Sequence, residues 1–368
     1  MPDQVRHDDS GTFYEAINFK DVAFPKIPLG GNLKKEVFGM KKIFVTLLIG
    51  AILCFGFNLP VGAADYPAKA IKIINPYSPG GSLDVVSRAF ASVAEKYLGQ
   101  PLIVINKPGA SGMIGSVAGS KAKPDGYTLT TGATSLSLTL EWEKINGRKA
   151  PYMLEDFTDI GAFTLDPTLV VIPYESPWNT LDDLIKACKD KPGHYRFGSG
   201  SHSTWLPGVV LMNGPGIKAR HIPYNGGGPC LAALVGGHLD FATQWPPTSI
   251  PLAEGKKLKI LAVQGDRRLK AIPDVPTTGE LGIAGVEWQQ WIGFAVPNKT
   301  PEDIVEKLRE VAQKVAVDES FINILTNAGG EVIFMDGPTM TKRKFQESQK
   351  FAELFKQLVE EGEIKLEK

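Results

Sequence analysis

The chain has 368 residues, with 40 Lys and Arg balanced by 40 Asp and Glu, 22% charged and 43% hydrophobic. That is the composition of an ordinary globular protein. With no basic run beyond the first 64 residues comparable to a nucleic-acid arm, nucleic acid is excluded as a partner.

Met40-Lys41-Lys42 is followed by an apolar run over 43–57 and by Val61-Gly62-Ala63-Ala64. A positive start, a short apolar stretch and small residues at its end read as a signal peptide over 40–64, cleaved near Ala63-Ala64. The run is short for a membrane span, which needs about 20 apolar residues. Leu53 before Cys54 argues against a lipoprotein site. Codons for Lys35-Glu36-Val37 can spell a ribosome-binding site two residues ahead of Met40, so translation is expected to start there. Residues 1–39 are then not part of the native protein, or are disordered. The mature chain runs from about Asp65 to Lys368. It keeps Cys188 and Cys230, which either pair in an oxidising compartment or stay as buried thiols.

From 70 the chain alternates strand, loop and helix. Residues 70–76 read as a buried strand. Apolar positions 83, 86, 90, 93, 94 and 97 follow helical spacing, and Gly99 closes that helix. A strand over 102–105, a helix through Ile114, Val117 and Ala118, a Pro124-Asp125-Gly126 turn and a strand over 127–131 follow. The second half repeats the pattern: strands at 169–172, 195–197, 219–222, 240–243 and 258–263, with helices at 180–190, after 204 and at 230–235. A strand at 291–297 precedes a charged helix from Pro301, and a long charged helix starts at Thr341. Such alternation predicts parallel α/β sheets.

Enzyme motifs are absent. There is no phosphate-binding G-x-x-x-x-G-K-[ST]; Gly109, Gly112 and Gly115 do not fit the dinucleotide fingerprint, and "GSGSHS" lacks the G-x-S-x-G elbow. His194, His202, His221 and His238 show no metal-ligand spacing, so neither metal nor cofactor is expected. What stands out is four Gly-rich junctions where a strand meets a helix, at 78–82, 109–112, 198–203 and 225–229. In an open α/β sheet these lie together at the carboxyl ends of the strands. They offer free N–H groups and positive dipole ends suited to a small anion.

Those blocks carry a resemblance. "YPAKAIKIINPYSPGGSLDVVSRAF", "HIPYNGGGPCLAALVGGHLDFA", "LKILAVQGDRRLKAIPDVPTTGELG" and "WIGFAVPNKTPEDIVEKL" are similar, in order, to the substrate-binding proteins of tripartite tricarboxylate transporters, the Bug family. The resemblance spans about the whole mature chain. It implies an α/β, two-domain periplasmic binding protein of the type II, Venus-flytrap kind, each domain a mainly parallel sheet flanked by helices. Domain I would comprise 65–168 and 262–368 and domain II 169–261, with crossings near 165–170 and 258–264. It further implies a monomer with no catalytic residues that delivers a small carboxylate to membrane permease subunits. An extracytoplasmic sensor for a two-component system is the alternative, and an α/β enzyme acting on a carboxylate is disfavoured by the missing motifs.

Carried over by position, the first domain would bind through Ser78, Gly80, Gly81 and Asp84, through Ala110, Ser111 and Gly112, and through Gly132 and Thr134. The second would use Ser199, Gly200, Tyr224, Asn225, Gly226 and Gly227, with Gln244 and Trp245 at the rim. Asp84, in a first helical turn, is expected to fix its loop or order water rather than touch a ligand carboxylate. Pro207 stands where the family often has His, and Asn225 where it often has Lys or Arg. Both departures argue against citrate. With Trp205, Trp245, Tyr224, Trp288 and Trp291 near the cleft loops, they favour an aromatic or apolar monocarboxylate.

Overall fold

The computed structural model describes residues 66–283 and 288–366; the expected signal peptide and residues 1–39 lie outside them. In chain order β1 (Ile71–Asn75) leads into α1 (Ser82–Leu98), then β2 (Leu102–Asn106), α2 (Met113–Ser120), β3 (Thr128–Ala133) and α3 (Thr134–Ile145). The long β4 (Phe157–Pro173) is followed by α4 (Leu181–Asp190), β5 (Arg196–Ser199), α5 (His202–Asn213), β6 (Arg220–Pro223), α6 (Gly227–Val235), β7 (Phe241–Gln244) and α7 (Pro246–Glu254). Last come β8 (Leu258–Gln264), β9 (Gln289–Pro297), α8 (Glu302–Ala316), α9 (Glu319–Asn327), β10 (Val332–Asp336) and α10 (Gly337–Glu360).

The strands form two sheets joined through β4. In the first, β1 pairs in parallel with β2 and β3, while β9 runs antiparallel between β3 and β4, and β10 antiparallel to β4. In the second, β5 is parallel to β6 and β7, and β4 is antiparallel to β7 and β8. Both sheets are thus mixed. Strand–helix–strand units give the parallel pairs, and the strands that cross or return give the antiparallel ones. Each sheet with the helices on its faces forms one lobe.

The switch between sheets is sharp. Pro167 pairs with Gln289 of β9 in the first sheet, and the next residue, Thr168, pairs with Gln264 of β8 in the second. Thr168 N donates to Trp288 O (3.1 Å) and Trp288 N to Gln264 O (2.9 Å), so both crossings are tied together at one point. β8 pairs with β4 over its whole length, so the strand carrying residue 262 stays with the second sheet through Gln264. The chain returns to the first sheet only after that.

Each lobe has its own apolar interior. Phe90 of α1 meets Phe163 and Phe294 with tilted rings and centroids 4.3–5.7 Å apart, with α8 and α9 closing that cluster. Separate clusters cover the two faces of the second sheet. A further cluster joins α3, α5 and α10 through Trp142, Leu206, Val209, Phe351 and Phe355. Cys188 in α4 and Cys230 in α6 are buried free thiols, which burial pushes up to about 11 and about 12.

Candidate ligand cleft

The 78–81 turn follows directly from its residues. Gly80 sits at φ +78°, a region open to glycine, and Gly81 is the extended N-cap of α1. Asp84, buried in the first turn, accepts from Gly80 N (3.1 Å), Arg88 Nε (3.0 Å) and Asn106 Nδ2 (2.9 Å). Burial opposes its charge, but these hydrogen bonds outweigh it and hold the carboxyl below its ordinary range. The carboxylate is spent on the loop's shape.

At the second junction Ala110, Ser111 and Gly112 are successive left-handed residues, at φ +47°, +51° and +90°. The turn points Ser111 O inward, where it accepts from Tyr77 Oη (2.8 Å) and Thr139 Oγ1 (3.2 Å). Burial pushes the Tyr77 phenol up to about 12, against hydrogen bonds with Ser135 and Ser201 that lower it. Neutral Tyr77 therefore links the first two junctions to the third. Gly132 and Thr134 lie elsewhere: a Cβ on Gly132 would sit 3.4 Å from the Trp291 ring, and Thr134 Oγ1 accepts from Trp291 N at 3.3 Å. Gly132 serves the packing of β3 on β9, and Thr134, the first residue of α3, ties that helix to β9.

On the second lobe, Gly200 N donates to Thr204 Oγ1 (2.9 Å) and Ser199 Oγ hydrogen-bonds His221 Nε2 (2.8 Å). A Cβ on Gly200 would fall 2.4 Å from the Gly226 carbonyl carbon, so glycine is required where the third and fourth junctions touch. The fourth junction meets the first across the lobes. Asn225 O accepts from Ser78 N (3.3 Å) and Ser78 Oγ (2.6 Å), and a Cβ on Gly81 would lie 3.5 Å from Gly227 N. The Asn225 contact is made by its backbone carbonyl. Gln244 is fully buried, and its amide has no oxygen or nitrogen partner.

Three spaces border the junctions; one of about 550 Å³ lies beside Pro79, Gly80 and Gly228, and the other two share Ser201. The smaller, about 20 Å³, lies among Tyr77, Gly81, Gly200, Gly227, Trp245 and Gln290 and has room for a water. The Gln290 carbonyl accepts from Ser203 Oγ (3.1 Å), while its buried amide nitrogen is unpartnered. The larger, about 310 Å³, is bordered by Ser111 and Trp142 of the first lobe, by Ser199, His202, Trp205, His221 and Tyr224 of the second, and by Lys365. Trp142 and Trp205 meet edge to face at 5.1 Å. His202 Nδ1 lies 3.1 Å from Thr139 Oγ1, and burial pushes its imidazole down to about 4, so it is neutral at physiological pH. A separate cavity of about 340 Å³ beside Trp288, Arg343 and Glu347 touches none of the glycine junctions.

The sequence-derived residues are thus largely brought together, with exceptions. Trp291 is fully buried, donating to Glu347 Oε2 (2.7 Å), and Trp288 stacks on Phe351 at 5.5 Å. Pro207 is core, its carbonyl accepting from Gln264 Nε2 (3.0 Å). Tyr77, Trp142, His202, His221, Gln290 and Lys365 were not among the expected site residues. Only Tyr77, immediately before the first Gly-rich junction, and His202, inside the third, had a sequence signal.

Comparison with known proteins agrees with this architecture. A family model described as tripartite tricarboxylate transporter family receptor matches residues 86–359. BugT of Bordetella pertussis is 32% identical over 274 residues, 72% of this chain and 83% of BugT. The solved periplasmic binding protein BugD shares 28% identity with a TM-score of 0.75, over 79% of this chain and 98% of that one. MatC from Rhodopseudomonas palustris, solved with bound malate, superposes with a TM-score of 0.72 at 24% identity, over 78% of this chain and 99% of that one, a likeness of fold. With its α/β fold built on two linked sheets and a family match over most of its length, this chain belongs to the tripartite tricarboxylate transporter receptor family.

Proposed function

We propose that the protein is a periplasmic receptor that closes its two lobes on a small carboxylate and hands it unchanged to the membrane permease subunits of a tripartite transporter. One observation carries the reading: glycine junctions from both lobes meet backbone to backbone, Ser78 on Asn225 and Gly81 beside Gly227, next to a cavity of about 310 Å³ that Ser111 and Trp142 of one lobe and Ser199, Ser201 and Tyr224 of the other border. Bare backbone at such junctions suits a carboxylate, and contact across the lobes suits capture by hinge closure about Pro167–Thr168. The malate seen in MatC supports the carboxylate class.

The ligand we favour is an aromatic monocarboxylate. Trp142, Trp205 and Tyr224 offer ring faces and edges, and neutral His202 and His221 with Ser199 and Ser201 offer hydrogen bonds. A thermal-shift screen with benzoate, phenylacetate, malate, adipate, citrate and the amides of the two aromatic acids tests this. Benzoate or phenylacetate should raise the melting temperature and the amides should not. Stabilisation by citrate with no response to either aromatic acid would overturn the ligand class. No response to any carboxylate would overturn the receptor reading.

A further inference from the structure

The segment after α10 borders the cleft through Lys365. After α10, Gly362 at φ +74° reverses the backbone, and the N–H groups of Glu363 and Ile364 both donate to Leu358 O (2.9 and 3.2 Å). The turn buries Ile364 in the cluster shared by Trp142 of α3, Leu206 and Val209 of α5, and Phe355 of α10. A polar anchor lies beside it. In the amide orientation that satisfies both of its ends, Asn213 of α5 donates to Glu363 Oε2 at 3.0 Å and to Val209 O at 3.2 Å. An apolar plug and a hydrogen bond thus seat the tail against the second lobe, while α10 itself packs on the first.

Lys365, next along, stands at the border of the 310 Å³ cavity. The other bordering side chains are rings, hydroxyls, a proline and two imidazoles, which burial lowers and keeps neutral near pH 7. Lys365 therefore carries the cavity's full charge, and it has no ion-pair partner among the described residues. Both Ile364 and Lys365 lie beyond residue 359, where the family match ends.

We propose that the C-terminal tail is a wall of the ligand cavity and that Lys365 is the specificity-determining residue that makes the cavity select anions. The proposal rests on the carboxylate-receptor reading and adds the source of the counter-charge. An anion entering a space lined by rings and hydroxyls loses hydration that those groups only partly replace. An ammonium at the border offsets the loss and attracts the anion before contact, an effect that salt weakens.

The test compares the wild type with Lys365→Gln and Lys365→Arg by calorimetry and stopped-flow fluorescence. Benzoate, phenylacetate, malate and adipate are the anionic probes and benzamide the neutral control, each at low and high salt. For the anion that the wild type binds best, Lys365→Gln should weaken affinity about fivefold at low salt, the scale of one partly exposed charge pair. The loss should fall chiefly in the association rate and flatten the salt dependence. Lys365→Arg should keep wild-type behaviour, and all three proteins should share one melting temperature. Unchanged affinity and salt slope in Lys365→Gln would overturn the proposal, as would an equal loss for benzamide. A wild type that binds none of the anions would instead overturn the receptor reading beneath it.

Discussion

A Cβ on Gly228 would lie 2.4 Å from the Pro79 carbonyl oxygen and 3.2 Å from the Gly80 carbonyl carbon, and its three nearest neighbours all belong to the opposing lobe. Carbon needs about 3.3 Å from a carbonyl oxygen, so an alanine there forces the first and fourth junctions apart by nearly ~1 Å. Ser78 N already reaches Asn225 O at 3.3 Å and would lose that bond, while the Ser78 Oγ bond at 2.6 Å would stretch past its optimum. Two neutral hydrogen bonds are worth about 1 kcal/mol each, so closure should be weakened by about 2 kcal/mol. That is roughly thirtyfold in affinity. Gly228 is the second residue of α6, where alanine is favoured over glycine by about 1 kcal/mol. Gly228→Ala should therefore fold at least as well as the wild type while binding its carboxylate weakly, read by calorimetry and a urea melt on the same sample. Wild-type affinity in this variant would refute the reasoning that the lobes close through these two junctions.

Asp84→Asn should destabilise the protein by about 1–2 kcal/mol in urea melts and weaken ligand binding, because it removes charge-assisted bonds that shape the 78–81 turn. Since the folded-state value of Asp84 is lowered, its contribution is present above about pH 4 and lost as pH falls through that lowered value; unchanged acid sensitivity in the variant would count against it. Asp166 behaves oppositely: burial, with Glu331 adding repulsion, pushes it up to about 7, so the native state holds a proton that the unfolded chain releases above about pH 4. Stability should decline from about pH 4 to 7, and Asp166→Asn should flatten that decline and gain up to about 4 kcal/mol at pH 8, checked by melts across that range. Trp205→Ala should weaken phenylacetate about tenfold while changing malate little, and should damp the ligand-induced change in tryptophan fluorescence. Cys188 and Cys230 should resist a thiol reagent until the protein is unfolded, then both react.

The four glycine junctions were legible because the chain needs glycine where backbone approaches backbone, and the Gly99 cap was legible for a similar reason. Helix α3 was not. Its residues, TSLSLTLEWEKI, alternate like a strand and are held helical by tertiary packing against α10 and α5. The first half of β4 escaped notice because Asp159, Thr164 and Asp166 look like surface residues, yet all three are buried, with Asp159 paired at 2.7 Å to an equally buried Lys344. Sequence reasoning also could not see which residues distant segments bring to the cleft. Trp142 arrives on the unread helix, Gln290 on the returning strand and Lys365 from the tail. Conversely, Gly132 and Thr134 flank the β3–α3 junction, where a ligand loop would sit, but Trp291 occupies the space beside them. Trp245 and Trp205 border the two spaces between the lobes, whereas Trp288 and Trp291 belong to packing with α10.

A crystal structure of the protein grown with the carboxylate that stabilises it most in the thermal screen tests the account at its centre. The ligand should lie between the lobes, its carboxylate within hydrogen-bond reach of Ser201 and linked to the Gly81 or Gly227 backbone through a water, with its remaining atoms against Trp142 and Trp205. A carboxylate bound instead in the cavity beside Trp288 and Arg343, with the space between the glycine junctions unchanged, would contradict it.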